Sequence, residues 1–133
     1  MDLNPYQKLG VEFDPFGIAN KFNLPFCLAE AFKKLACAGI DGRVKAKEQD
    51  IKEAIYSVKR AIDYFNNDSF EINTNCTYVD VKEVKGKYID AFNFDSKKCC
   101  YLNLAIYILC FAVDKDIKWL NWCVEEADLF LLE

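Results

Sequence analysis

Residues 51–65 read IKEAIYSVKRAIDYF, and apolar side chains recur in this stretch at every third or fourth position. On an α-helix, this spacing places the apolar side chains on one face and leaves the charged ones on the other. The apolar set is Ile51, Ala54, Ile55, Val58, Ile62 and Phe65, and the charged set is Lys52, Glu53, Lys59, Arg60 and Asp63. The stretch therefore predicts an amphipathic helix with one buried and one solvated face.

A second helix is predicted upstream, over residues 25–38, and Gly39 stands where its C-terminal cap is expected. Its apolar residues at helical spacing are Leu28, Ala31, Phe32 and Leu35. Asp14 and Pro15 supply a cap and a first-turn residue for a shorter helix before it. Because the apolar faces of the two longer helices are best buried against each other, residues 13–65 are predicted to form an antiparallel helical hairpin.

The middle of the chain predicts β-structure. Apolar or β-branched residues alternate there with polar ones at the strand period, and they are Phe70, Ile72, Thr74, Cys76 and Tyr78. A second β-like run, residues 87–94, follows Lys85 and Gly86. We therefore expect a small antiparallel β-hairpin over residues 69–94, and a helix over residues 80–85 is the competing interpretation.

The C-terminal part predicts a pair of helices over residues 96–132. Residues 99–113 are apolar except for Asn103, and this stretch is expected to be the central buried helix. It is shorter than the roughly 20 apolar residues that a membrane span requires. Residues 116–132 predict a final helix whose apolar face is widened by Trp119, Trp122 and Phe130.

These elements fit a single domain, because 133 residues suffice for one core and make two improbable. A hydrophobic content of 53% is typical of a folded protein. The predicted fold class is mainly α (α+β). It is a compact bundle of four to five helices with a small antiparallel β-hairpin inserted in the middle.

Charge and cysteine content limit the setting and the partners. A net charge of −4 disfavours nonspecific binding to nucleic acid and to anionic membranes. Seven cysteines cannot all pair within one chain, and residues 1–10 show no secretory signal, so we expect a reduced, cytoplasmic protein. The sequence contains no CxxC pair and no histidine, so neither a metal nor a cofactor is predicted.

Residues 13–65 resemble a small phage domain of unknown function that occurs alone or attached to phage nucleotide kinases. The family has an aromatic lead-in, a helix with the pattern LGNA and a helix with the pattern DLxKAIxYL. The corresponding residues here are FCLAEAFK at 26–33 and DIKEAIYSVKR at 50–60. The resemblance implies a phage origin, and it covers about two fifths of the chain.

Two surfaces are candidate binding sites because the charge is unevenly distributed. Residues 43–63 hold six basic and four acidic residues, and they suggest a site for a small anionic, nucleotide-like ligand. The candidate ligand-binding residues are Arg43, Lys45, Lys52, Tyr56 and Arg60. Residues 114–133 hold two basic and six acidic residues, and they suggest a surface for a basic host protein. The candidate partner-binding residues are Trp119, Trp122, Glu125, Glu126 and Phe130.

The function that these features favour is a non-catalytic, phage-type accessory protein. It would bind and sequester or inhibit a host factor in the host cytoplasm, for example in an anti-defence role. One alternative is a nucleotide-handling enzyme of the phage nucleotide kinase type, although the chain has no GxxxxGK[ST] loop to bind phosphates. A second alternative is a structural or assembly protein that forms a homodimer through its C-terminal helices.

Overall fold

Seven helices make up the secondary structure of the described residues, which are 8–38, 44–67, 71–92 and 96–132 of this computed structural model. In chain order they are α1 (Gly10–Phe13), α2 (Pro15–Lys21), α3 (Phe26–Ala36), α4 (Val44–Asn66), α5 (Tyr78–Phe92), α6 (Ser96–Asp114) and α7 (Lys118–Leu132). The amphipathic stretch at residues 51–65 thus belongs to α4, which is the longest helix described.

Helices α3 and α4 pack against each other in antiparallel directions. Lys34 near the end of α3 binds Glu53 in α4, with 2.6 Å between Nζ and Oε2. Cys27 at the start of α3 lies beside Arg60 towards the end of α4. As its spacing predicts, α4 turns its apolar face towards the core and its charged face towards solvent. This orientation is favourable because it removes the apolar face from water.

Helix α6 lies at the centre of the molecule and packs against α3, α5 and α7. Its buried residues occur on all sides of the helix, which suits a helix that has neighbours on several faces. They are Tyr101, Leu102, Leu104, Ala105, Ile108, Leu109, Cys110, Phe111 and Ala112. Helix α7 covers this helix with Leu120, Cys123 and Ala127 and also packs against α4.

Short polar signals set several helix boundaries. Asp14 Oδ1 accepts a hydrogen bond of 2.7 Å from the Gly17 amide and caps α2, whose first residue is Pro15. Asn23 adopts a left-handed φ of 53° after α2, and the Leu24 amide then donates to the Ala19 carbonyl at 2.9 Å. This arrangement ends the helix, since asparagine tolerates that backbone region better than most residues.

The predicted fold class is wrong in two respects. The predicted four to five helices are seven, and no β-hairpin occurs over residues 69–94 in the part of the chain that the structure describes. Residues 71–77 form neither a helix nor a strand, and residues 78–92 form α5. The competing interpretation, a helix over residues 80–85, agrees with the structure.

The alternating residues of the middle segment have another physical cause. Ile72 is buried in the core, and Thr74 and Cys76, at the same period, lie against the end of α2, whereas the residues between them are exposed. The Thr74 hydroxyl donates to the Lys21 carbonyl at 3.2 Å, and the Asn23 side-chain amide donates to the Asn73 carbonyl at 3.1 Å. Thr77 then starts α5, because the Asp80 carboxylate accepts a hydrogen bond of 2.7 Å from the Thr77 amide, as in a capping box.

Candidate functional site

A groove between the start of α3 and the outer face of α4 is the first candidate site. Its volume is about 460 Å³, and it is open to solvent. It is lined by Pro25, Phe26 and Cys27 from the α3 end and by Tyr56, Ser57, Arg60 and Tyr64 from α4. We call it the α3–α4 groove. It combines apolar and aromatic walls with one cationic side chain, which is the usual composition of a small-molecule site.

The Arg60 guanidinium is held in a defined position in this groove. Its carbon lies 5.1 Å from the centroid of the Tyr64 ring, and Nη2 donates a hydrogen bond of 3.0 Å to the Tyr64 hydroxyl. A guanidinium has five N–H groups, and this contact uses one of them. Tyr56 and Arg60 are one helical turn apart, so both predicted residues lie in the same groove.

Cys27 is the thiol of the groove. Burial raises the pKa of Cys27 above its ordinary value, although backbone hydrogen bonds and the charge of Arg60 oppose the shift. The thiol therefore stays protonated at neutral pH and is a weak nucleophile. The lining residues include no carboxylate that could act as its base.

Lys52, another predicted ligand-binding residue, lies outside the α3–α4 groove. It lines a second cavity of about 340 Å³ that α4 forms with the start of α6 and the end of α7. The other lining residues are Glu48, Ile51, Cys100, Tyr101, Phe130 and Leu131. Arg43 and the side chain of Lys45 are outside the described part of the chain, so their predicted roles stay predictions.

Two tryptophans at the start of α7 form a second candidate site. The Trp119 and Trp122 rings are almost perpendicular, with an interplanar angle of 86° and 5.3 Å between their centroids. The ammonium of Lys118 lies over both rings, 5.1 Å from the Trp119 centroid and 5.6 Å from the Trp122 centroid. We call the two rings the tryptophan corner.

Asp114 and Tyr107, both on α6, hold the tryptophan corner in place. Trp119 Nε1 donates to Asp114 Oδ2 at 2.9 Å, and the Tyr78 hydroxyl donates to the same oxygen. Although burial opposes the shift, these hydrogen bonds hold the pKa of Asp114 below its usual value. Tyr107 packs against both tryptophans, and its hydroxyl donates to Glu126 at 2.7 Å.

The predicted partner-binding residues do not all lie together. Trp119, Trp122 and Glu126 are connected through Tyr107, and Glu125 is exposed on the same helix. Phe130 packs instead edge-on against Tyr101, with 6.0 Å between the ring centroids, and lines the second cavity together with Lys52. Lys52, a predicted ligand-binding residue, and Phe130, a predicted partner-binding residue, thus line the same cavity. The sequence did not predict this cavity.

Alkaline pH should test the environment of Tyr107. Burial and the hydrogen bond to Glu126 raise its pKa to about 12. Since this folded-state pKa exceeds the unfolded value of about 10, the neutral hydroxyl stabilises the fold below about pH 10, and the contribution is lost as the pH rises towards about 12. In urea unfolding series, the native chain should lose stability above about pH 10 more steeply than Tyr107→Phe. Equal slopes for the two proteins would contradict this assignment.

Five of the groove residues were not predicted from the sequence, namely Pro25, Phe26, Cys27, Ser57 and Tyr64. Tyr64 carries a usable signal, because Tyr56, Arg60 and Tyr64 follow one another at intervals of four on the exposed face of α4. The sequence carries no such signal for Phe26, since its place in the groove with Tyr56 depends on how α3 and α4 pack. Tyr107 and Asp114 were missed at the tryptophan corner for the same reason.

Within the described ranges, no helix combines the length and apolar character needed to cross a bilayer, and no three or more Cys, Asp or Glu residues are grouped as metal ligands. No protein-family model matches the chain, and no curated protein or solved structure matches it significantly. The resemblance of residues 13–65 to the phage domain stays a prediction.

Proposed function

We propose that the protein is a non-catalytic binding protein that captures a small anionic ligand of nucleotide type in the α3–α4 groove. The observation that carries the proposal is the placement of two exposed rings beside one oriented guanidinium. Phe26 is 80% exposed and Tyr56 is 66% exposed, and both line the groove that holds Arg60. Apolar and aromatic groups that lie together at a concave surface with a polar group among them are typical of a ligand-binding site.

The chemistry of these three side chains suits a nucleotide. A nucleobase can stack on an aromatic ring whatever its identity, because every base has a π-face. A guanidinium matches the oxygens of a phosphate with two parallel hydrogen bonds, and its geometry is already restricted here by Tyr64. Pre-orientation of this kind lowers the entropy lost on binding.

The same residues favour capture over turnover. Stacking rings and a guanidinium hold a ligand, whereas a reaction needs an activated nucleophile or a base near it. Cys27 is held in its protonated form by burial, and the groove lining supplies no carboxylate.

A phage-encoded accessory role extends this proposal. All seven groove residues lie within residues 13–65, the part of the chain that resembles the phage domain. A protein of this kind would withhold a nucleotide signal from host proteins, or inhibit a host factor that carries such a ligand, in the host cytoplasm. The support for this role is the resemblance together with the chemistry of the groove.

The test is equilibrium binding of the common ribonucleoside and deoxyribonucleoside 5′-phosphates with Mg²⁺ present, followed by chromatography of the recovered ligand. We expect one nucleotide class to bind in a one-to-one ratio and to be recovered unchanged. Arg60→Ala should weaken binding about 10- to 100-fold, because it removes charge-assisted hydrogen bonds. Tyr56→Ala should weaken it comparably through lost stacking.

Lys59→Ala is the matched control, since Lys59 is the exposed neighbour of Arg60 on α4 and does not line the groove. It removes the same charge and should change the affinity by less than about twofold, the effect expected of a screened surface charge. Equal losses for the Lys59 and Arg60 variants would refute a site in the groove. Absence of binding by the native chain at millimolar nucleotide, or many turnovers per chain, would refute the proposed function.

A further inference from the structure

The tryptophan corner has the geometry of a cation-binding site. Two indole rings at nearly a right angle present their faces to one point, and an ammonium occupies that point within 6 Å of both centroids. The ammonium belongs to Lys118, which directly precedes Trp119 in the chain. The site therefore already shows which chemical group it accepts.

The rings are positioned independently of Lys118. The hydrogen bond from Trp119 Nε1 to Asp114 fixes one indole, and Tyr107 packs against both rings from α6. Donation of the indole N–H to a carboxylate also increases the electron density of the ring, which strengthens its attraction for a cation. The corner should consequently keep its shape when the lysine leaves.

Lys118 itself is held loosely. Its side chain is 47% exposed, and its nearest carboxylate oxygen, on Asp116, is 3.6 Å away. An exposed ion pair at this distance contributes little, because water screens it. Residues 114–133 carry six acidic and two basic residues, so a cation from outside would be attracted to this end of the molecule.

We propose that the tryptophan corner binds an alkylated ammonium group from outside the chain and that Lys118 is a resident cation which this ligand displaces. A quaternary ammonium is more weakly hydrated than the primary ammonium of Lys118, so it loses less on leaving water and covers more of the two ring faces. Recognition of quaternary ammonium groups is the common functional use of such aromatic walls. The group could belong to a methylated lysine of a partner or to a free choline-type cation, and both present the same chemistry.

Intrinsic fluorescence offers a local readout, because the chain contains two tryptophans and both form this corner. We would titrate the full chain with tetramethylammonium chloride against sodium chloride at matched ionic strength. A saturable change in emission with the first salt alone is expected. Trp122→Leu should abolish it, while Trp119 remains as the reporter.

If the ligand displaces Lys118, removal of this lysine should strengthen binding instead of weakening it. Lys118→Ala and Lys118→Gln should tighten tetramethylammonium binding about two- to fivefold, the factor that corresponds to removing one exposed cation–π competitor. Lys82→Ala is the control, because Lys82 is an exposed cation on α5 whose removal changes the net charge equally. It should leave the affinity unchanged. Circular dichroism would verify that each variant is folded.

Peptides then distinguish the two sources of the ligand. Binding of a trimethyllysine peptide at least about tenfold tighter than both tetramethylammonium and the unmodified peptide would assign the site to a partner's methylated lysine. Equal affinity for the free cation and the trimethyllysine peptide would assign it to a small cation. A native chain and a Lys118→Ala variant that both fail to respond would overturn the proposal, and so would weaker binding by Lys118→Ala.

Discussion

Phe111→Ala is expected to lower the free energy of unfolding by about 3–5 kcal/mol. Phe111 is completely buried in α6, and its ring lies edge-on to that of Phe65 in α4, with 5.1 Å between the centroids. Truncation removes the apolar surface that the ring buries and leaves a cavity that helices on several sides of α6 prevent from closing. Urea unfolding followed by circular dichroism measures the change.

Phe26→Ala is the matched control for this experiment. It makes the same substitution at a ring that is 80% exposed, so the free energy of unfolding should change by no more than about 0.5 kcal/mol. The same variant removes one wall of the α3–α4 groove. If both alanine variants unfolded at the same urea concentration as the native chain, the central position of α6 would be wrong.

Gly17→Ala should destabilise the fold by about 1–3 kcal/mol, the range typical of an overpacked site. A Cβ at this position would lie 2.2 Å from the Val11 carbonyl oxygen and 2.7 Å from backbone atoms of Glu12. These are backbone atoms, so α1 as a whole would have to move away from α2. The clash should outweigh the gain of up to about 1 kcal/mol that alanine brings to a helix interior.

Gly86→Ala should stabilise the fold, in contrast to Gly17→Ala. Gly86 lies in the interior of α5, and nothing comes within 4 Å of a Cβ built there. The free energy of unfolding should therefore rise by about 0.5–1 kcal/mol through helix propensity alone. Thermal unfolding of the two variants, recorded side by side, should show a lower midpoint than the native chain for Gly17→Ala and a higher one for Gly86→Ala. A stabilising effect of Gly17→Ala would show that α1 and α2 do not approach as closely as described.

The sequence correctly predicted those elements whose signal lies within a single helix. The period of residues 51–65 was sufficient to predict α4, since it marks one continuous apolar face of a helix. Asp14 and Pro15 predicted the start of α2, and the Asp14 cap is present in the structure. The stretch at residues 99–113 predicted a central buried helix, and α6 has that position.

The β-hairpin prediction failed because alternation has more than one physical origin. Residues 71–77 alternate because Ile72, Thr74 and Cys76 face the core and the end of α2 while the residues between them are exposed, and no second strand is involved within the described residues. A signal that the hairpin prediction did not use is the spacing of Thr77 and Asp80, which is that of a capping box. Helix α5 follows that signal, with Val81, Val84 and Tyr88 on its buried face.

The sequence predicted the candidate sites only in part, for a related reason. Tyr56 and Arg60 belong to one helical face, so sequence spacing was sufficient to pair them. Phe26 joins them only because α3 and α4 are antiparallel with a particular offset. Lys52 was grouped with them by its charge, yet it lines a different cavity. Charge gives no information about which side of a helix a cavity occupies.

The irregular segment at residues 71–77 also connects distant parts of the chain. Thr74 bonds to Lys21, 53 residues earlier, and the Lys115 ammonium donates to the Asn73 side chain from 42 residues later. Each contact closes a long loop of chain, at an entropic cost that rises only slowly with loop length. The segment thereby links the end of α2 to the turn between α6 and α7, in addition to the direct packing of α3 on α6 and of α4 on α7. Loosening at one end of the segment therefore also weakens the contacts at its other end, so these elements are expected to unfold together.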